Sequence, residues 1–358
     1  MQQRNIIVAI VIFIVISIVF CAFLILPLFV SQANQWAYEA VQIDKLHDLG
    51  YDGSGVTIGI IDTGVDRSHQ EFDSTSFTAW HDFINFNSQW YDDDDHGTHL
   101  AGLLVSKGSF SGLFSGVNLQ GIVPASKLVV VKAIPRNLYL YGGGNDTTIA
   151  NAINYCIEQE VDIILLSLGL SPEDVTFSDV NLTCSAIDTA INQGIFVVAS
   201  SGNDGESDDG DVCFPSSIDY VISVGSFSKS STVSSFSSKG HQYPSTVNPH
   251  KKPELLAPGE DIISSRVNGA YGTLSGTSQA ATILTGGLAL LLDAYPDYKH
   301  NGDKNLNITT VSFLKQILAS TALKIGSLEG NNEIYSHDDS YGYGLVQFHE
   351  AYKELAKC

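Results

Sequence analysis

Three short segments carry the residue types from which proteins build an activated nucleophile. The first is Ile60-Ile61-Asp62-Thr63-Gly64-Val65-Asp66, a carboxylate at the end of an apolar run followed at once by a glycine. The second is His96-Gly97-Thr98-His99-Leu100-Ala101-Gly102, preceded by Asp92-Asp93-Asp94-Asp95. The third is Gly276-Thr277-Ser278-Gln279-Ala280-Ala281, which opens a long apolar stretch. A histidine base oriented by a carboxylate can activate a serine hydroxyl, and a serine at a helix N-terminus places its own N–H where negative charge develops. Each segment also has an ordinary explanation. Asp-Thr-Gly serves aspartic proteases, but those need two carboxylates sharing a proton, and no second Asp-Thr-Gly or Asp-Ser-Gly occurs. His96 and His99 lack the glutamate of the H-E-x-x-H zinc pattern. The four aspartates read as a mostly solvated loop. Ser278 or Thr277 reads as a helix cap.

Positioning these groups requires a scaffold, and the chain supplies one. Apolar, β-branched runs at Val56–Ile61, Leu128–Lys132, Asp162–Leu166, Ile195–Ala199 and Tyr220–Val224 suit strands buried on both faces, as in parallel sheets. Helical patterns at Thr98–Val105, Thr147–Glu160, Cys184–Gln193, Ser278–Tyr295 and Val311–Ala322 alternate with them. This is the pattern of an open α/β sheet with helices on both faces, whose sites lie beyond the carboxyl ends of the strands. No repeat or long linker divides residues 34–358, which read as one domain.

With 18 Lys and Arg against 39 Asp and Glu, the net charge is −21, which excludes nucleic-acid binding through a basic surface. Arg4 is the single charged side chain before Glu39, leaving −22 on the remainder. Residues 1–33 stand apart. Ile6–Val30 is interrupted only by Ser17 and Pro27, and as a helix would reach roughly 37 Å, enough to cross a bilayer. Arg4 and the α-amino group precede it, with no acidic residue before Glu39, a bias that keeps the N-terminus in the cytoplasm and exports the body. The run reads as an uncleaved membrane anchor, with a cleaved signal peptide ending near Ser31-Gln32-Ala33 as the alternative. Asn145-Asp146-Thr147, Asn181-Leu182-Thr183 and Asn307-Ile308-Thr309 are potential glycosylation acceptors. Outside the cell Cys184 and Cys213, which flank one strand-and-loop unit, could pair.

The order Asp62, His96, Ser278 distinguishes one arrangement of such triads from others. On these residues the chain resembles the subtilases, the subtilisin-like serine proteases. The resemblance extends through Gly121-Ile122-Val123-Pro124-Ala125, Ser167-Leu168-Gly169, Ser201-Gly202-Asn203-Asp204-Gly205, Ala257-Pro258-Gly259 and Tyr343-Gly344-Leu345-Val346, covering residues 36–352. It implies a three-layer α/β fold with a central, mostly parallel sheet. It also implies a monomeric serine endopeptidase that acts on extended protein or peptide substrates through an acyl-enzyme. Asp62 would orient His96, His96 would take the Ser278 proton, and Asn203 would donate to the oxyanion beside the Ser278 N–H. His99 would be a packing residue. Ser167, Leu168 and Gly169 would form one edge of the substrate cleft, and the glycines Gly142, Gly143 and Gly144 the other.

Several departures accompany the resemblance. Where the family reads Met-Ala-Ser/Thr-Pro after the serine, this chain has Gln279-Ala280-Ala281-Thr282. No prodomain separates the apolar segment from Gln35-Trp36, so the domain is expected to fold without one in cis. Calcium is implied by the resemblance, with Glu71 near a family ligand position, but the adjoining loop Gly108–Asn118 is lengthened and Asp204–Asp211 lacks the EF-hand spacing. The alternative functional class is a catalytically impaired, cell-surface peptide-binding module. A metal-dependent hydrolase stands further off.

Overall fold

The computed structural model describes residues 12–17, 32–108, 118–136, 145–170, 180–206, 212–240, 251–300, 306–330 and 333–358. Seven strands form one parallel sheet: β1 (Thr57–Asp62), β2 (Phe77–Asp82), β3 (Lys127–Lys132), β4 (Ile163–Leu166), β5 (Phe196–Ser200), β6 (Ile222–Phe227) and β7 (Leu255–Pro258). Their order is β2-β3-β1-β4-β5-β6-β7. Every residue of β4, β5 and β6 is buried, as the continuous apolar runs require. Two strands escape the sequence pattern. β2 carries Trp80, His81 and Asp82 on a partly exposed edge, and β7 is only Leu255–Pro258.

After the short helices α1 (Gln35–Ala40) and α2 (Ile43–Asp48), the larger helices divide between the two faces. α3 (His96–Val105) packs on β1 and on α6 (Thr277–Ala294), which crosses β4 to β7; α4 (Asp146–Glu158) and α5 (Asn181–Asn192) pair on the opposite face. α6 is buried all round from Thr277 to Leu292, the mark of a helix threaded through a core rather than laid on it. α7 (Ile308–Thr321) and α8 (Phe348–Leu355) complete the layers. Two of the three glycosylation triplets have a structural use. Asn145 caps α4 through Thr148 N at 2.8 Å, and Asn307 caps α7 through Thr309 N at 2.8 Å.

An antiparallel hairpin, β8 (Ile262–Arg266) and β9 (Ala270–Leu274), was not marked by the sequence. It lies on α3, where Ser264 Oγ donates to His99 O at 2.7 Å and Ser265 Oγ to Thr98 O at 3.1 Å, before leading into α6. Cys184 and Cys213 do not pair: both are free. Cys184 rides on α5, whereas Cys213 is buried with its Sγ donating to Ser200 O at 3.4 Å, beyond the end of β5. No helix among the described residues is long and apolar enough to cross a membrane. Of the run 6–30 only 12–17 is described, as helix, and the rest of the expected anchor lies outside the described residues. The same holds for Gly142, Gly143 and Gly144.

Candidate active site

Asp62 is the last residue of β1, fully buried, at the carboxyl edge of the sheet. Its Oδ1 accepts from Thr63 N at 2.7 Å and from His96 Nδ1 at 2.8 Å; Oδ2 lies 3.0 Å from the same nitrogen. A carboxylate only accepts, so Nδ1 carries the hydrogen and Nε2 of the neutral ring is left with its lone pair. This approach depends on Gly97. A Cβ there would collide with the Gly64 carbonyl and come within 3.1 Å of Asp62 Oδ1. Gly97 N instead donates to Thr63 Oγ1 at 2.9 Å, tying the start of α3 to the end of β1.

The four aspartates before His96 are not a solvated loop. Asp92 accepts from Thr63 Oγ1 (2.9 Å), from Thr98 N (2.9 Å) and Oγ1 (2.6 Å), and from Asp94 N (3.0 Å). Asp93 meets the fully buried Lys132 at 2.6 Å, and Lys132 Nζ also donates to Thr63 O at 2.6 Å. Asp95 meets Arg266 at 2.6 Å and Val267 N at 2.8 Å, fixing the hairpin to α3 while its own φ is held at 91°. Burial would depress the His96 pKa, but the charge and hydrogen bond of Asp62, then the charges of Asp92 and Asp94, outweigh it and hold the imidazole above its ordinary value. His99 behaves oppositely. Fully buried, it is pushed down to about 3 by desolvation and stays neutral, its Nε2 3.2 Å from Ile262 O.

The second half of the site lies beyond β4 and β5. Ser278 is the second residue of α6, whose N-cap is Gly276 with no side-chain cap, so neither Thr277 nor Ser278 serves as one. Thr277 has a different task. Its N and Oγ1 donate to Asn203 Oδ1 at 2.9 and 3.0 Å, which fixes which end of the Asn203 amide turns toward α6. Thr277 Oγ1 also lies 3.2 Å from Gly202 N and O. Ser278 Oγ donates to Ser167 O at 3.4 Å, and no hydrogen bond joins it to His96. Of Ser167, Leu168 and Gly169, the expected substrate edge, Ser167 borders the serine through its carbonyl. Thr282, in place of the family's proline, donates its hydroxyl to Ser278 O at 2.8 Å and keeps the first turn of α6 closed. Gln279 is buried with its Nε2 lacking a partner.

Glu71 does not assemble a calcium site from the described residues. Its buried carboxylate accepts from Tyr271 OH at 2.5 Å, and no group of three or more His, Cys, Asp or Glu side chains there could hold a metal ion. The loop expected to supply the other ligands lies almost wholly outside the described residues. Lys132, Arg266 and Thr277 were missed by sequence reasoning. A lysine closing an otherwise apolar strand was a usable signal for the first; nothing local marked Arg266.

The subtilase family profile matches residues 53–344. The chain is 34% identical to the major intracellular serine protease of Bacillus subtilis over 71% of its own length and 74% of that protein's. It is 28% identical to subtilisin E of the same organism over 90% of this chain and 72% of the relative. The minor extracellular protease Epr of B. subtilis is 28% identical over 88% of this chain, which spans only 41% of Epr. The chain belongs to the subtilase family and is a serine-type endopeptidase.

Proposed function

We propose that the chain hydrolyses peptide bonds in extended protein substrates, with Ser278 as nucleophile, His96 as general base and then acid, and Asp62 as the group that orients His96. The observation that carries this reading is the 2.8 Å bond from His96 Nδ1 to Asp62 at the sheet edge where Ser278 and Asn203 also lie. Substrate main chain pairs beside Ser167–Gly169. The Ser278 hydroxyl swings from Ser167 O toward His96 Nε2, gives up its proton there and attacks the scissile carbonyl. The oxyanion meets the Ser278 N–H and the Asn203 amide. His96 then protonates the leaving amine, and water, activated by the same base, releases the acyl group.

No metal enters these steps; calcium, which subtilases generally bind, would act on stability alone. We place the body outside the cytoplasm, because 12–17 is a helix with Ile12–Ile16 exposed and 6–30 is long enough to insert into a bilayer. Fractionation of tagged full chain distinguishes a membrane anchor from a cleaved signal, and a cytoplasmic soluble product removes both. The catalytic reading is tested by fluorophosphonate labelling of the full chain together with hydrolysis of an unfolded protein. Ser278→Ala abolishes labelling and lowers turnover by on the order of 10⁶-fold. Full chain that stays unlabelled but still retains peptides would leave the binding-module reading standing instead.

A further inference from the structure

We propose that Cys213 forms the floor of the slot that receives the side chain beside the scissile carbonyl, and that it restricts this position to small residues such as glycine, alanine and serine. This rests on the catalytic reading above and adds the substrate class to it.

Two backbone segments leave the ends of β4 and β5, residues 167–170 and residues 200–203, and residues 213–214 hydrogen-bond to both. Ser278 Oγ touches the first at Ser167 O, and Asn203 at the end of the second is tied to Thr277. A carbonyl carbon attacked by Ser278, with its oxygen toward Asn203, therefore lies across the top of both. The side chain on the carbon next to that carbonyl enters between them.

Each wall presents a glycine to this space, and Cys213 occupies it. A Cβ built on Gly169 would collide with Cys213 Sγ and stand 3.0 Å from its Cβ; one built on Gly202 would collide with Ser238 Oγ at 2.7 Å and stand 3.4 Å from Cys213 Cβ. The sulfur is thus already in contact with the Gly169 backbone. The floor cannot drop away, because it is stitched to both walls. Cys213 N donates to Ser201 O at 2.8 Å, while Phe214 and Leu170 exchange both backbone hydrogen bonds at 3.0 Å. A flat ring sandwiched between two walls needs about 7 Å between their atoms, twice an ordinary carbon–carbon contact. With the thiol between the walls, that depth is closed to rings and branched chains. The thiol is also inert: burial raises its pKa to about 12, so it fills space rather than reacting.

The test uses the full chain and a peptide-anilide series differing only at the residue that donates the scissile carbonyl, with fluorophosphonate labelling run on every variant. Wild type is expected to cleave the alanine substrate at least about ten-fold faster in kcat/KM than the phenylalanine one. Cys213→Gly is expected to raise the phenylalanine-to-alanine ratio of kcat/KM at least about ten-fold. Cys213→Ser, of similar size, keeps the wild-type ratio. If Cys213→Gly loses labelling through misfolding, Cys213→Ala, which removes only the sulfur, must shift the leucine-to-alanine ratio in the same direction. Wild type that prefers phenylalanine, or labelled small variants with an unchanged ratio, overturns the inference while leaving the catalytic reading intact. Wild type that cleaves the series without labelling at Ser278 overturns the catalytic reading and this inference together.

Discussion

Two lysines share one glutamate in the dry end of the sheet, and the stability of the protein should record it. Lys252, Lys315 and Glu254 are all nearly inaccessible, at 1%, 3% and 2% exposure. Glu254 Oε1 accepts from both ammonium groups at 2.8 Å, and each ammonium also donates to Val221 O, at 2.6 and 3.1 Å. Oε2 is taken by Ser223 N at 2.6 Å. One positive charge is therefore uncompensated in the core. Burial, reinforced by the like charge of Lys315 and opposed by Glu254, pushes the Lys252 pKa from 10.5 down to about 8. The folded protein thus binds fewer protons than the unfolded chain between pH 8 and 10.5, and stability must rise with pH across that window. The full difference corresponds to about 3 kcal/mol. Below pH 8 the charged ammonium costs this amount; above 10.5 the cost is gone. Replacing Lys252 by methionine removes its titration and leaves Glu254 paired with Lys315, whose own pKa burial also lowers, so the variant should keep only the smaller rise that Lys315 contributes. Urea unfolding from pH 7 to 10.5, in a Ser278→Ala background to prevent self-digestion, measures both curves. The parent should gain about 3 kcal/mol relative to the Lys252→Met form across the window. Parallel curves, separated by a constant amount at every pH, would refute the reasoning.

Two further outcomes concern the site. Asp94 helps hold His96 protonated, and on the proposed mechanism His96 works only when neutral, so Asp94→Asn should move the acidic limb of kcat/KM to lower pH at low ionic strength, the shift shrinking in 1 M salt. A limb that does not move would mean the Asp94 charge is not felt at the ring. Thr277→Val removes one of the two donors that orient Asn203 and should lower kcat about ten-fold with KM nearly unchanged, against a loss of about 100- to 1,000-fold for Asn203→Ala. In the Asn203→Ala background the same valine should cost little more, which steady-state kinetics on the double variant would check.

Apolar runs such as Ile163–Leu166 and Phe196–Ser200 made the sheet legible, because strands buried on both faces have few other ways to be written. Asp62, His96 and Ser278 were legible for a related reason: each sits beside small residues that permit close backbone approach, as Gly97 does under Asp62. β2 was hidden because an edge strand tolerates Trp80 and His81, and the β8–β9 hairpin because its serines face α3 rather than solvent. The suggested Cys184–Cys213 bridge failed on direction. Nearness along the chain says nothing of which face a thiol points to, and Cys213 faces Gly169 while Cys184 lies on α5.

The run Asp92–Asp95 misled most, and its correction changes how the charge of this protein bears on its chemistry. Four adjacent carboxylates suggest a loop held apart by its own repulsion. What holds them together comes from far along the chain: Lys132 neutralises Asp93 and Arg266 neutralises Asp95. Asp92 is not neutralised by a cation but is saturated by donors from Thr63, Thr98 and the turn itself. The charges that raise the His96 pKa include those of Asp62, Asp92 and Asp94. The two cations also help determine where His96 stands. Lys132 grips the Thr63 carbonyl next to Asp62, and Arg266 holds the residue before His96 from the hairpin that leads into α6. Removing either cation should therefore disturb geometry and field at once.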